Sequence, residues 1–194
     1  MSCISNKFIY ESLANLNTMK RKKYFDEVNG ITFYEKICDM GNLRLAHKNA
    51  SRGKYTYAEV QEVNKDPDYY LKEIQKMLVN KTYKVSKYIE EIRMENGKER
   101  HIYKLPYYPD RIIQWAILQI IRPVIESNFI STTYSSIRTR GPVKCLEKIK
   151  EDMYHNPEDT CHCFKFDVRH FYESIDHNIL KYRYARLFKD KDLL

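Results

Sequence analysis

Asp167 is the carboxylate whose setting best suits chemistry. In Phe164-Lys165-Phe166-Asp167-Val168, apolar and polar residues alternate. That pattern predicts a strand with Phe164, Phe166 and Val168 on one side and Lys165 and Asp167 on the other. An apolar strand would then present one carboxylate on its open face, near its C-terminal end. Such a group can ligate a hard divalent cation, or it can be a strand-end aspartate serving a turn. The residues alone favour the turn. A second set is cationic. Residues 83–105 are rich in Tyr, Val and Ile, with Asn96-Gly97 in the middle. Asn-Gly between strand-like runs predicts a β-hairpin. With those two residues in the turn, Arg93 faces Arg100 and Glu91 faces Ile102. Like charges directly opposite each other are unfavourable unless an anion such as a triphosphate offsets them. The alternative is a slipped register, or two solvated arginines. Cys161-His162-Cys163 has metal-binding residue types, but the spacing is too tight for a zinc knuckle and no second pair follows.

These residues need elements to place them. Phe33, Ile37 and Met40 fall on helical spacing. Asn42 reads as an N-cap, with a helix from Leu43 to Arg52 stopped by Gly53. That helix carries Arg44, His47, Lys48 and Arg52. Asp66 and Pro67 open another helix, with Tyr70, Leu71, Ile74, Met77 and Leu78 as its apolar face. Asp110 is expected to cap a long helix from about Arg111 to Phe129. Its stripe of Ile113, Ala116, Ile117, Ile120, Ile121 and Val124 makes it core, and Pro123 should kink it. Residues 130–141 read as a polar loop containing Arg138 and Arg140, and 143–154 as an amphipathic helix. Asn156 to Thr160 reads as a turn. Ser174 is expected to cap the last helix, with Ile175, Ile179 and Tyr182 on one side. Asp176 would lie in its first turn, where an acid suits the helix dipole, and reads as structural.

Composition bounds the partners. Lys plus Arg is 34 against 26 for Asp plus Glu, a net charge of +8, and this surplus suggests nucleic acid. The 17 tyrosines, interleaved with Lys and Arg, suit base stacking beside phosphate contact; the plainer reading has them half-packed on helix surfaces. Five scattered cysteines argue against a disulfide framework and fit a reducing cytosol. No apolar run approaches the ~20 residues a membrane span needs, and the N-terminal residues show no secretory pattern. The basic cluster Lys20 to Lys23 reads as part of a solvated arm.

Residues Phe166-Asp167-Val168-Arg169-His170-Phe171-Tyr172-Glu173-Ser174-Ile175-Asp176-His177 resemble the first catalytic box of reverse transcriptases. Upstream, Arg100-His101-Ile102 with Pro106 and Asp110-Arg111-Ile112-Ile113-Gln114 resembles the fingers motifs. So does Pro123-Val124-Ile125-Glu126 followed by Tyr134 and Gly141, although Pro142-Val143 stands where relatives often carry a His. The resemblance covers roughly residues 31–194 and points to prokaryotic enzymes of the group II intron, retron and diversity-generating type.

The resemblance implies an α+β fold. Residues 1–30 would be an N-terminal arm and 31–160 a fingers-like helical region with the hairpin near 83–105. Residues 161–194 would start a palm. It implies an RNA-directed DNA polymerase acting on an RNA template, a DNA primer and a deoxynucleoside triphosphate in a bacterial or phage-encoded, cytoplasmic setting. Two magnesium ions would clamp the attacking hydroxyl and the leaving pyrophosphate. Asp167 and the Val168 carbonyl would be ligands, and the His170 and Phe171 amides would lie near the triphosphate. Tyr172 matches the steric gate under the sugar. Arg100 matches the cationic fingers position, with Arg93 and Lys98 beside it. Arg138 and Arg140 would track a nucleic-acid backbone, and Arg111 would serve an ion pair or the template. The family also needs paired aspartates, and no Asp-Asp occurs in the 194 residues. The expectation is therefore a front portion that does not polymerise alone and that associates with itself or with a missing half. A non-catalytic, maturase-like RNA-binding module is the alternative, and a phage-defence role would share the same residues.

Overall fold

In the computed structural model, residues 27–28 and 31–194 are described; the rest of the expected 1–30 arm, with its Lys20–Lys23 cluster, lies outside them, whereas residues 27–28 form a strand. The chain divides into two compact units. Among the described residues, one comprises 27–125 and 168–194, and the other 126–167.

The larger unit is built on helices. Strands β1 (Glu27–Val28) and β2 (Ile31–Thr32) pair antiparallel. Thr32 caps α1 (Phe33–Cys38) through a reciprocal bond with Glu35, a capping box. Helix α2 (Met40–Ser51) is capped by Asp39, whose side chain accepts from Asn42 N at 3.0 Å. The expected cap, Asn42, lies inside the helix instead. Its amide donates to Ile37 O at 3.2 Å and to Ala116 O at 3.1 Å, a long-range tie that outcompetes a local cap. Gly53 follows the helix at φ +72°, where a Cβ is disfavoured. Helix α3 (Ala58–Lys65) precedes α4 (Pro67–Val79), which Asp66 caps with Pro67 at its first position, as the spacing predicts.

Apolar spacing dictates what these helices bury. Ile37, Leu43, Ala46, Val60, Val63, Leu71 and Ile74 are at most 1% exposed, each large one contributing about 1.5–3 kcal/mol by leaving water. Tyr70 and Met77 flank them, partly buried. Helix α5 (Ile112–Ser127) supplies Ile112, Ile113, Ala116 and Val124 as buried residues and runs on through Pro123. It starts after a kinked turn at Tyr107–Arg111, within which Tyr108 takes an extended conformation. Asp110, expected as its cap, is buried within that turn. Residues after α5 return to α1. Phe188 is 1% exposed and meets Phe33 edge-on at 5.6 Å, while Asp190 accepts from Tyr34 N at 2.7 Å.

The hairpin forms from β3 (Ile89–Glu95) and β4 (Lys98–Lys104). Arg93 pairs with Arg100 and Glu91 with Ile102, the register that Asn96-Gly97 predicts. Asn96 and Gly97 both take positive φ, +53° and +74°, as a type I′ turn requires. Residues 83–88, expected within the first strand, form no ladder.

In the smaller unit, α6 (Pro142–His155) buries no residue. Its Val143, Leu146, Ile149 and Met153 are exposed. Residues 164–168 do not form the expected strand. A strand exists only within a ladder, and the ladders of the described residues are β1–β2 and β3–β4. Phe164 and Phe166 stand 73% and 89% exposed. Beyond them, in the larger unit, α7 (His177–Leu187) is capped by Asp176, which accepts from Asn178 N and Ile179 N. Asp176 is thus structural, as the cap itself rather than in the first turn. Ser174 donates to Phe171 O and caps nothing. Ile179 and Tyr182, expected on one side of this helix, are exposed. The fold is mixed helix and antiparallel strand, of α+β class.

Candidate nucleotide-binding hairpin and acidic loop

Side chains alternate along a strand and cross-strand partners share a face. The observed register therefore puts Arg93, Lys98, Arg100 and Lys104 on one face of the hairpin, with Glu91, Glu95, Ile89 and Ile102. The three cations singled out from sequence are together. Their mutual repulsion is offset within the hairpin. Arg100 Nε lies 3.2 Å from Glu95 Oε2, and Glu91 pairs with both Arg93 and Lys104. The two glutamates were missed as partners, though their period-2 spacing on either side of Arg93 marks them. These pairs are exposed, and each is worth at most about 1 kcal/mol, so a polyanion with stronger charge can displace them. Four cations against two carboxylates leave the face net basic.

The opposite face carries Glu90, Ile92, Met94, Glu99, His101 and Tyr103. His101 lies between Glu90 at 2.7 Å and Glu99 at 3.2 Å, and its bond to Glu90 holds its pKa above the ordinary value. The Tyr103 phenol is likewise raised, first by its hydrogen bond to Glu90 and, least, by the nearby Glu173 carboxylate. Glu173 belongs to the 170–174 turn, where His170 takes φ +50° and its carbonyl accepts from Ser174 N at 2.9 Å. The turn that holds His170, Phe171 and Tyr172 thus lies within electrostatic reach of the hairpin. Phe171 and Tyr172 meet edge-on at 5.3 Å, and Tyr172 is 83% exposed.

Asp167 ends the smaller unit and Val168 resumes the larger one. Asp167 is exposed, outside any helix or strand. In the same smaller unit Arg138 is exposed, whereas Arg140 donates from Nη1 to the carbonyls of Ile130, Ser131 and Thr133 at 3.1–3.4 Å. Arg140 organises its loop with that nitrogen. Arg111, exposed just ahead of α5, donates to Gln114 at 3.3 Å.

The basic set on α2 is partly spent. Arg44 pairs with Asp68 at 3.1 Å. His47 is held at both ring nitrogens, by Asn64 Oδ1 at 3.0 Å and the Tyr107 hydroxyl at 2.7 Å, and burial lowers its pKa. Burial in turn pushes the Tyr107 phenol up to about 12. Its folded pKa exceeds the unfolded value, so the stability it contributes is present below pH 10 and lost as pH climbs from 10 toward about 12. We expect the urea midpoint of the protein to fall across that window, and Tyr107→Phe to flatten the fall. Urea titrations of both proteins at three pH values between 9 and 11.5 will show it, and parallel curves would disprove the assignment.

Asp110 is the residue that spacing misassigned. It is fully buried, and its Oδ1 accepts from the Tyr83 hydroxyl at 2.6 Å and from Ser86 N at 3.0 Å. Its Oδ2 is buried without a hydrogen-bond donor, an arrangement that costs about 1–3 kcal/mol. Burial pushes its carboxyl up, but the bonds from Ser86 and Tyr83 outweigh it and hold the pKa below the usual carboxylate range. Among the described residues, no group of three or more His, Cys, Asp or Glu could hold a metal ion. Cys161 contacts His162 at 2.9 Å but gathers no such set. Among those residues too, no helix is long and apolar enough to cross a membrane. No protein-family model matches the chain, and no curated protein matches it.

Proposed function

We propose that this chain supplies the nucleotide-entry side of an RNA-directed DNA polymerase. The observation that carries the reading is the hairpin face, where Arg93, Lys98, Arg100 and Lys104 converge in the register that Asn96-Gly97 sets. A triphosphate is the ligand such a face fits. Planar guanidinium groups bind phosphate oxygens in pairs, and the repulsion between facing arginines is relieved when an anion enters. Residues 166–177 resemble the first catalytic box of reverse transcriptases, and Glu173 of the 170–174 turn acts electrostatically on Tyr103, on the opposite face of the same hairpin.

Within this reading Asp167 and the Val168 carbonyl would each give one hard oxygen ligand to magnesium. Magnesium, when bound, supplies charge neutralisation at the triphosphate and at the attacking hydroxyl. One carboxylate cannot hold two such ions against their hydration. On this reading primer extension needs further acidic ligands beside Asp167, and the expectation is that these 194 residues do not polymerise by themselves. His170 and Phe171 amides would orient the triphosphate, Tyr172 would stack beneath the sugar, and Arg138 would follow the nucleic-acid backbone.

The RNA-binding alternative rests on the α2 cations, of which Arg44 and His47 are already engaged. Primer extension on an RNA template, with the chain joined to a polypeptide that carries paired aspartates, separates the two. Extension that requires both magnesium and Asp167 supports the polymerase. Salt-sensitive RNA binding with no extension, unchanged by Asp167→Ala, supports the module.

A further inference from the structure

The cationic hairpin is a lever, and its two roots differ. The outgoing root, Tyr107–Arg111, is anchored in the helices: Tyr107 is buried, its N–H donates to Glu59 at 2.7 Å, and its hydroxyl bonds His47. The incoming root is not. Tyr83 packs partly against the core, but Val85 and Tyr88 stand 59% and 63% exposed. Among the described residues, the backbone hydrogen bond that ties residues 84–88 to anything beyond themselves is Ser86 N to Asp110 Oδ1. The same oxygen accepts from Tyr83.

We infer that Asp110 is a positioning residue, a buried clamp that joins both roots of the hairpin and so fixes where its arginines point. A carboxylate is kept there although one of its oxygens is buried without a donor. An apolar residue would fill the space without that unmet acceptor, but it could not hold Ser86 and Tyr83 on one atom. The clamp stands on this geometry alone. Its consequence for triphosphate binding rests on the polymerase reading, because pre-setting the arginines removes an ordering cost from binding.

Two variants test it. Ser86→Pro removes the N–H donor at a position outside any helix or ladder and outside the apolar core. Asp110→Asn removes the charge. Backbone ¹⁵N relaxation is then compared with the original protein. The expected result is that amides from 89 to 104 lose order together, as one body, while α2, α4 and α5 keep their values. Tripolyphosphate, used as the probe, should bind about threefold or more weakly, since an unfixed receptor must be ordered on binding. If Asp110→Asn fails to fold, Ser86→Pro decides alone. Hairpin amides that keep their original order in Ser86→Pro, with changes confined to 84–88, overturn the clamp. Failure of the unaltered protein to bind tripolyphosphate would instead overturn the anion-binding reading, while the relaxation data still judge the clamp.

Discussion

Asp167→Asn is expected to lower primer extension by about 10³-fold or more in an assembly that supplies the paired aspartates, equivalent to about 4 kcal/mol of transition-state stabilisation. The change keeps the size and one oxygen but removes the negative charge that a hard cation requires. The structure gives a reason to expect little cost in folding. Asp167 is exposed, in chain outside any ladder, and the apolar core lies in the other unit. A thermal midpoint unchanged within about 2 °C should therefore accompany the lost activity. A comparable loss of stability would instead mark Asp167 as a structural turn residue.

Replacing both Arg93 and Arg100 with Thr is expected to weaken tripolyphosphate binding by about a hundredfold, taking each charge-assisted contact at about 1.5 kcal/mol. Stability should not follow. The two arginines oppose each other directly across the ladder, which disfavours the hairpin, and the ion pairs lost with them, to Glu91 and Glu95, are exposed and weak. Threonine also suits a strand. The pair of measurements is diagnostic. Calorimetric titration should show binding lost, and hydrogen exchange of the ladder amides should show the hairpin as protected as before, or more so. Retained affinity would move the anion site elsewhere. Loss of protection would make the arginines structural.

Local chemistry made part of this fold legible. Asn96-Gly97 dictates the hairpin register because a two-residue turn fixes which residues oppose each other, and Asp66-Pro67 marks α4 because the cap bond and the fixed φ act within three residues. Ile113, Ala116 and Val124 follow from helical period in the same way. What failed depended on distant partners. Asp39 and Asn42 are equally good caps by type, and the choice is settled by Ala116, 74 residues away, whose carbonyl draws the Asn42 amide inward. Asp110 resembles a cap until Tyr83 and Ser86, 27 and 24 residues earlier, donate to it. The alternation around Asp167 has the period of a strand, yet residues 164–168 join no ladder among the described residues. The candidate site was legible in the same proportion: the cations on the hairpin face follow from alternation, whereas the clamp that aims them does not.

The most direct test of the central claim, that the Asp167 carboxyl ligates a metal ion, is a metal-preference measurement on Asp167→Cys in the assembled polymerase. A thiolate is a softer ligand than a carboxylate and discriminates against magnesium. Extension rates are measured with magnesium and with thiophilic manganese or cadmium, for the original protein and the variant. The account predicts that the variant's ratio of thiophilic-metal to magnesium activity rises about tenfold or more over that of the original, a shift of about 1.4 kcal/mol. An unchanged ratio, with magnesium serving both proteins equally, would contradict it.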